Sequence, residues 1–401
     1  MTDPTIKTVW IVSELYYPSE TSTGFIMTKL AESLANQYKM NVLTGPTSYT
    51  SDSGKYALQE SVNQVNINRV KLGFYNKNSI FKRVLRLSIL SIKLGIGAFR
   101  RIEKDSTLIV VTNPVPLLFL ISLIKRIKKD WFLIVLVHDV YPENMIAAGI
   151  LKKKGVVFKC INFLYSSALK SADNVVVLGR DMKEVIEAKG AQNTRIIESW
   201  AETDQIQPDP SIGKHNDEQP LRYLFAGNLG RVQGIPVLLE AIKLIDPNVA
   251  TFVFAGNGAC AELLKEASLA NSEQIKFLGS YERREQKRIL NSCDIGIVTL
   301  AKGMYGLGVP SKAYNLMAAG KPILFIGDRE SEIDRVVLEN NCGWVVNESD
   351  PEAIAEAILK ISSEPHSELT ARGSNSLSLA TEVFTLDNVI SKYRKLLQEI
   401  T

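Results

Sequence analysis

The 401-residue chain has few of the residue types that staple small folds or hold metals. It contains four cysteines, Cys160, Cys260, Cys293 and Cys342, and only three histidines. The cysteines lie far apart, mostly in apolar sequence and without zinc or redox spacing, so they read as buried, reduced thiols. No Asp-x-Asp pair or histidine cluster closes a strand in the second half, and no metal site is expected. The longest apolar run, Pro114 to Ile124, is far short of the ~20 residues that cross a bilayer. The start, MTDPTIKTVWIVSELYYP, lacks the basic head and apolar core of an export signal, so a cytoplasmic location is expected. The most pointed absence is local. Ile295 to Gly327 contains no Asp or Glu, yet holds Lys302, Lys312 and Lys321.

The length suits two domains of roughly 150–200 residues, and 45% hydrophobic with 22% charged residues is ordinary for a globular protein. Charge is divided unevenly: residues 1–200 carry 27 Lys and Arg against 16 Asp and Glu, and the remainder carries 20 against 27. A basic half joined to an acidic half points to an anionic surface or ligand for one domain. Short β-type runs alternate with amphipathic helical stretches: TVWIVSELY, NVLTG, TLIVVTNP, WFLIVLVHDVYP and NVVVLG in the first half, LRYLFAGNLG, ATFVFAGNG, DIGIVTL and KPILFIG in the second. Between them lies the polar, proline-marked stretch 201–220. The expected architecture is α/β: two doubly wound Rossmann-like domains facing a central cleft, residues 1–200 and 221–383, joined by a linker at 201–220. The last helix, about 384–401, either extends the second domain or crosses back to the first.

Chemistry is expected in loops at strand ends. FAGNLGRVQG leaves a strand through Gly227, Gly230 and Gly234 and opens a helix. Such a loop is either a tight turn or an anion cradle, with Arg231 and Gln233 as added donors. It matches neither the dinucleotide nor the P-loop fingerprint. GVPSKAYNLMAAGKP repeats the arrangement, with Ser311 as expected N-cap and Lys312 in the first helical turn. A lysine there opposes the helix dipole; it is either a solvated surface lysine or one that a bound phosphate compensates, the latter being the expectation. The acid-free window fits that reading, since a carboxylate would repel the ligand. His138 and Asp139 stand at a strand end in VLVHDVYPENM, either as a satisfied turn or in contact with substrate. SELYYPSETSTG carries a flexible Gly24 at a helix start.

Residues 76–104 hold eight basic residues and one acid, Glu103, interleaved with Ile80, Phe81, Leu85 and Phe99. An amphipathic basic stretch of this kind reads as attachment to an anionic membrane surface or as a solvated face over a core helix, with membrane attachment the expectation. No nucleic-acid-binding fold or aromatic RNA-binding motif accompanies it, so nucleic acid is not an expected partner.

Taken in order, SELYYPSETSTG, VHDVYPE, VVVLGRDM, IIESWAE, FAGNLGRVQG, FVFAGNG, IKFLGSYERREQKRILNSCDIGIVTL and VPSKAYNLMAAGKPIL resemble the family 4 retaining glycosyltransferases of GT-B fold, in particular the WbuB-like branch, over essentially the whole chain. The resemblance implies a nucleotide-sugar donor, a UDP-sugar favoured, held mainly by the second domain. It implies a glycan or polyprenyl-diphosphate-linked acceptor at the first domain and a place on the inner face of the cytoplasmic membrane, in surface polysaccharide synthesis. The donor would meet Gly24, Arg180, Gly227, Asn228, Arg231, Gln233, Gly258, Leu278, Gly279, Ser311, Lys312 and Asn315. His138, Asp139 and Lys312 would be the catalytic set, and no cofactor or metal is implied.

Two departures stand out. Asn228 and Gln233 occupy positions where the family carries Arg and Lys, leaving Arg231, Lys312 and Arg180 to neutralise the diphosphate. The family's Glu-x(7)-Glu pair is also missing, and its second position is Asn315. If Asn315 merely replaces that glutamate at the ribose, Glu should bind nucleotide as well or better; if the site is rebuilt around a neutral partner, Glu should weaken it. The alternatives are a nucleotide-sugar epimerase of the same architecture, which would need cleft carboxylates, and a non-catalytic nucleotide-sugar-binding subunit.

Overall fold

A computed structural model describes residues 7–46, 56–72, 80–153, 155–212, 219–347 and 349–400. Of the basic stretch 76–104, residues 76–79 and the side chains at 80, 81 and 83 lie outside what is described. The first sheet has eight strands: β1 (Thr8–Ser13), β2 (Lys39–Thr44), β3 (Gln59–Val62), β4 (Val65–Arg69), β5 (Thr107–Val111), β6 (Phe132–Val137), β7 (Asn174–Val177) and β8 (Thr194–Ile196). Their order is β3-β4-β2-β1-β5-β6-β7-β8, with only the β3–β4 edge hairpin antiparallel. The second sheet is wholly parallel: β9 (Leu221–Ala226), β10 (Ala250–Ala255), β11 (Ile275–Gly279), β12 (Ile295–Thr299), β13 (Ile323–Ile326) and β14 (Gly343–Val346), in the order β11-β10-β9-β12-β13-β14. Uninterrupted apolar runs such as TLIVV and FLIVLV make strands covered by helices on both faces.

Each sheet separates two apolar layers. On one face of the first sheet, Trp10, Leu108 and Val135 pack with Leu94, Ile121 and Tyr165 from the helices Ile80–Arg101, Val115–Ile127 and Val156–Ser171. On the other face, Ile11, Met40 and Ile134 pack with Leu30 of the helix Ser22–Leu34 and with Ile390, Tyr393 and Leu397 of the helix Leu386–Glu399. The last helix of the chain therefore packs on the first sheet. Leu300, Met304 and Leu307, which follow β12, also join the first sheet's core. Val140 donates its backbone N–H to Leu307 O at 3.0 Å, so the two halves are joined by an apolar seam as well as by chain crossings.

Some local expectations change. Cys260, Cys293 and Cys342 are buried, but Cys160 is exposed on Val156–Ser171. Asp350 caps its helix by accepting from Ala353 N at 3.1 Å. Ser311 does not cap: its backbone is already helical and its hydroxyl takes no helix N–H. In the stretch 201–212, Ala201 and Ile206 are buried, and Ala201 N donates to Phe384 O at 2.8 Å. Among the described residues, no helix is long and apolar enough to cross a membrane.

Candidate active site between the two sheets

In a doubly wound sheet, ligands sit at the carboxyl ends of strands, where connections leave toward opposite faces. That point falls between β1 and β5 in the first sheet and between β9 and β12 in the second. The loops leaving β1, β6, β9 and β12 line a cleft of about 1300 Å³. His138, Asp139, Gly227, Asn228, Gln233, Ser311, Lys312 and Asn315 all line it.

The second-sheet wall is built by close backbone approach. Gly227 and Gly256 have φ of 133° and 136°, and a Cβ on Gly256 would lie 1.8 Å from Gly227 O. Only glycine allows the loops after β9 and β10 to meet in this way. A Cβ on Gly227 would lie 3.5 Å from Lys312 Cε, so the glycine loop and Lys312 form one surface. Lys312 Nζ lies 3.5 Å from the Phe225 ring centroid and donates to Gln233 Oε1 at 3.2 Å. Among the described residues it meets no carboxylate. Burial draws its pKa from 10.5 down to about 7. A cation held by a ring face and an amide oxygen, with one side open to the cleft, is a ready partner for an anion.

On the opposite wall, His138 and Asp139 donate their backbone N–H groups to Thr112 Oγ1 at 3.2 and 3.4 Å. Burial lowers the His138 pKa to about 4, so its imidazole is neutral at physiological pH. Burial raises the Asp139 carboxyl to about 6, against the opposing pull of Asn144, which donates to Asp139 Oδ1 at 2.8 Å. A neutral imidazole can orient a sugar hydroxyl by hydrogen bonding. Ser22 and Ser311 face each other across the cleft mouth at 3.5 Å.

Asn315 is less free than its position suggests. Its Nδ2 donates to Glu202 Oε1 at 2.9 Å, and its Oδ1 accepts from Glu202 N at 3.2 Å. Glu202 lines the cleft and also pairs with Arg283, whose guanidinium stacks 3.4 Å from the centroid of Phe25. The window without acids therefore borders a carboxylate brought in from residue 202. Glu20 and Asp139 line the cleft as well, so the cleft is not acid-free. The window itself lacks carboxylates chiefly because it is buried: β12 and β13 are core strands, Leu307 sits in the seam, and Ala313, Tyr314, Leu316 and Met317 are buried on the helix Lys312–Ala318. Lys302 is exposed, and Lys321 donates to Asn291 O at 3.3 Å.

Several expected donor residues are placed elsewhere. Arg180, expected at the diphosphate, does not line the cleft, and Glu332 and Glu339 hold its guanidinium at 3.0 and 2.8 Å. Gly24 packs against Ser19, where a Cβ would meet Ser19 O at 2.7 Å; it shapes the β1 loop, whose Ser19 to Ser22 line the cleft. Gly258 lets its backbone approach Leu229, with 2.5 Å from a Cβ to Leu229 O. Arg231, Leu278 and Gly279 fall outside the lining, and Ser280 and Tyr281 stand there instead. Phe25, Glu202 and Arg283 were not legible as site residues. Arg283 sits in the charged run YERREQK, and Glu202 in a stretch that reads as linker. Among the described residues, no group of three or more His, Cys, Asp or Glu is placed to share a metal ion.

A family model described as glycosyl transferases group 1 matches residues 220–364. A Pseudomonas aeruginosa protein named as a probable glycosyltransferase, WbjE, is 32% identical over 362 residues, covering 88% of this chain and 89% of that one. An Escherichia coli protein named for colanic acid biosynthesis, the glycosyl transferase WcaI, is 24% identical over 345 residues, covering 80% and 83%. Among solved structures, sucrose-phosphate synthase from Thermosynechococcus elongatus superposes with a TM-score of 0.77 at 14% identity, over 98% of this chain and 99% of that one. Anabaena HepE in complex with UDP and glucose gives 0.70 at 13% identity, over 98% and 100%. These similarities establish a GT-B fold, two Rossmann-like sheets facing a cleft.

Proposed function

Because this chain belongs to the glycosyl transferases group 1 family, we propose that it moves a sugar from a nucleotide-diphosphate sugar, with retention, to a glycan or polyprenyl-diphosphate-linked acceptor in surface polysaccharide synthesis. The observation that carries the reading is Lys312, a cation on the cleft wall beside Gly227 that meets no carboxylate among the described residues. A diphosphate at this point would receive the ammonium and the amide groups of Asn228 and Gln233. HepE, which binds UDP in its solved structure, supports a UDP-sugar donor. In this reading Lys312 balances the charge of the departing diphosphate, neutral His138 positions the transferred sugar, and a donor phosphate oxygen takes the acceptor proton. WcaI, named for colanic acid biosynthesis, supports a polysaccharide setting.

One observation favours a second reading. Asp139, raised to about 6, and Glu202 give the cleft the acid/base carboxylates that a nucleotide-sugar epimerase would use. Incubation with UDP-, GDP- and dTDP-sugars, with and without lipid-linked acceptor, separates the readings: transfer supports the proposal, whereas an isomerised donor or binding without turnover overturns it. Lysine can stand in for a cation at a diphosphate, so EDTA-treated protein is expected to keep full transferase activity. Loss of activity that Mg²⁺ or Mn²⁺ restores would defeat the assignment of charge neutralisation to Lys312.

A further inference from the structure

We propose that Tyr56 and Glu20 form a subsite for a neutral sugar ring, which stacks on the tyrosine while its hydroxyls meet the carboxylate. Assigning that ring to the acceptor rests on the glycosyltransferase reading above; the sugar subsite itself does not.

Tyr56 stands just before β3, at the edge of the first sheet, and lines the cleft with Pro18, Ser19, Glu20 and Ile26. Its ring is held in place by the protein. Tyr17 packs against it with centroids 6.0 Å apart and planes at 87°, and the Arg69 guanidinium lies over the ring, 5.8 Å from its centroid. Arg69 is buried and fixed in turn. Its Nη1 donates to Ala57 O at 2.9 Å and pairs with Glu60 at 2.6 Å, and its Nη2 donates to Tyr17 O at 2.9 Å. One arginine thereby ties the segment before β3 to the loop after β1. A ring immobilised in this way loses little further rotamer freedom when a ligand stacks on it. The slightly positive C–H edges of a pyranose suit the negative face of an aromatic ring.

Glu20 supplies the polar half. It is exposed and lines the same cleft, and beside it the Ser19 and Thr21 hydroxyls lie 2.9 Å apart. An ionised carboxylate only accepts hydrogen bonds, which suits hydroxyl donors and repels phosphate. Arg69 does not offset that repulsion, because Glu60 already takes its charge. A neutral ring therefore fits this end of the cleft, and a diphosphate fits Lys312. The two ends come from different domains: Glu20 and Tyr56 precede β2 and β3 of the first sheet, whereas Gly227 and Lys312 follow β9 and β12 of the second. A sugar on Tyr56 would thus face the donor wall from the first domain, the side from which an acceptor hydroxyl must approach.

The test is saturation-transfer NMR on the full chain with UDP present. The probes are methyl β-glucoside, methyl β-galactoside and methyl β-N-acetylglucosaminide. At least one should receive saturation, most strongly at the C–H protons of one ring face. Tyr56→Ala and Tyr56→Leu should bind that glycoside at least about tenfold more weakly, while Tyr56→Phe, which keeps the ring, stays within about twofold. Glu20→Gln should weaken it about threefold or more, and because Glu20 is exposed this variant keeps the test sharp even where Tyr56→Ala lowers the melting temperature. UDP affinity, measured by calorimetry, should be unchanged in all four. Absence of saturation with every glycoside, or wild-type glycoside binding in both Tyr56→Ala and Glu20→Gln, overturns the proposal. So does a parallel loss of UDP affinity, which would move both residues to the donor. A wild type that holds a glycoside through Tyr56 yet binds no UDP leaves the sugar subsite standing and defeats the glycosyltransferase reading instead.

Discussion

Replacing Lys312 with Met should weaken donor binding by about 10- to 150-fold and raise thermal stability in the same protein. Lys312 is held between the Phe225 ring and Gln233, and burial lowers its pKa to about 7. In the unfolded chain the lysine titrates near 10.4. Between these values the unfolded state binds the extra proton, so this group's contribution to stability rises with pH from about 7 to 10 and is least favourable below 7. Methionine removes that penalty, and Lys312→Met should gain about 1–3 kcal/mol near pH 6, less above pH 9. The melting temperature should rise by about 2–4 °C per kcal/mol. Binding moves the other way: losing a charged hydrogen bond to a diphosphate costs roughly 1.5–3 kcal/mol, about 10- to 150-fold in affinity. The wild-type protein should also take up a proton when UDP-glucose binds between pH 7 and 8, since the diphosphate favours the ammonium. Calorimetry in buffers of different ionisation enthalpy measures that uptake. A variant that is stabilised yet binds UDP-glucose normally would remove Lys312 from the site.

The acid-free window shows why part of this site was legible and part was not. Alternating strand and helix patterns are local, so both sheets and the loops after β6, β9 and β12 could be read from them. Lys312 and Gly227 were legible for the same reason: each lies at the junction of a strand-end loop and a helix. The lack of carboxylates around Lys312 pointed to a lysine that lines the cleft, but for an incomplete reason. Most of Ile295 to Gly327 is core strand, buried helix face or interdomain seam, and a carboxylate there would be costly with or without a ligand. Arg180 illustrates the reverse case, a cation placed outside the cleft lining. Nothing near it in sequence announces Glu332 and Glu339, 152 and 159 residues away, which take up its charge. Long-range pairing also hid Glu202, whose neighbours Asn315 and Arg283 are 113 and 81 residues distant.

That pairing decides between the two outcomes the sequence left open for Asn315→Glu. The Asn315 amide now satisfies Glu202 twice, as donor to Oε1 and as acceptor from the backbone N–H. A glutamate at 315 would lose the donor and set a second carboxylate against Glu202, with Arg283 alone to share between them. Two close carboxylates disfavour their charged forms, and breaking a largely buried charged network costs roughly 2–4 kcal/mol. Asn315→Glu should therefore weaken UDP binding and lower the melting temperature, instead of restoring a missing glutamate. Asn315→Ala should cost less, about 0.5–1.5 kcal/mol, because it removes a neutral donor without adding charge. The decisive variant is Asn315→Glu combined with Glu202→Gln, which exchanges amide and carboxylate between the two positions. If these residues act as one pair, the double variant should recover most of the binding that Asn315→Glu loses, and the coupling energy should exceed about 1 kcal/mol. Additive losses in that cycle, measured by calorimetry with UDP and by thermal unfolding, would show that Asn315 and Glu202 serve the cleft independently.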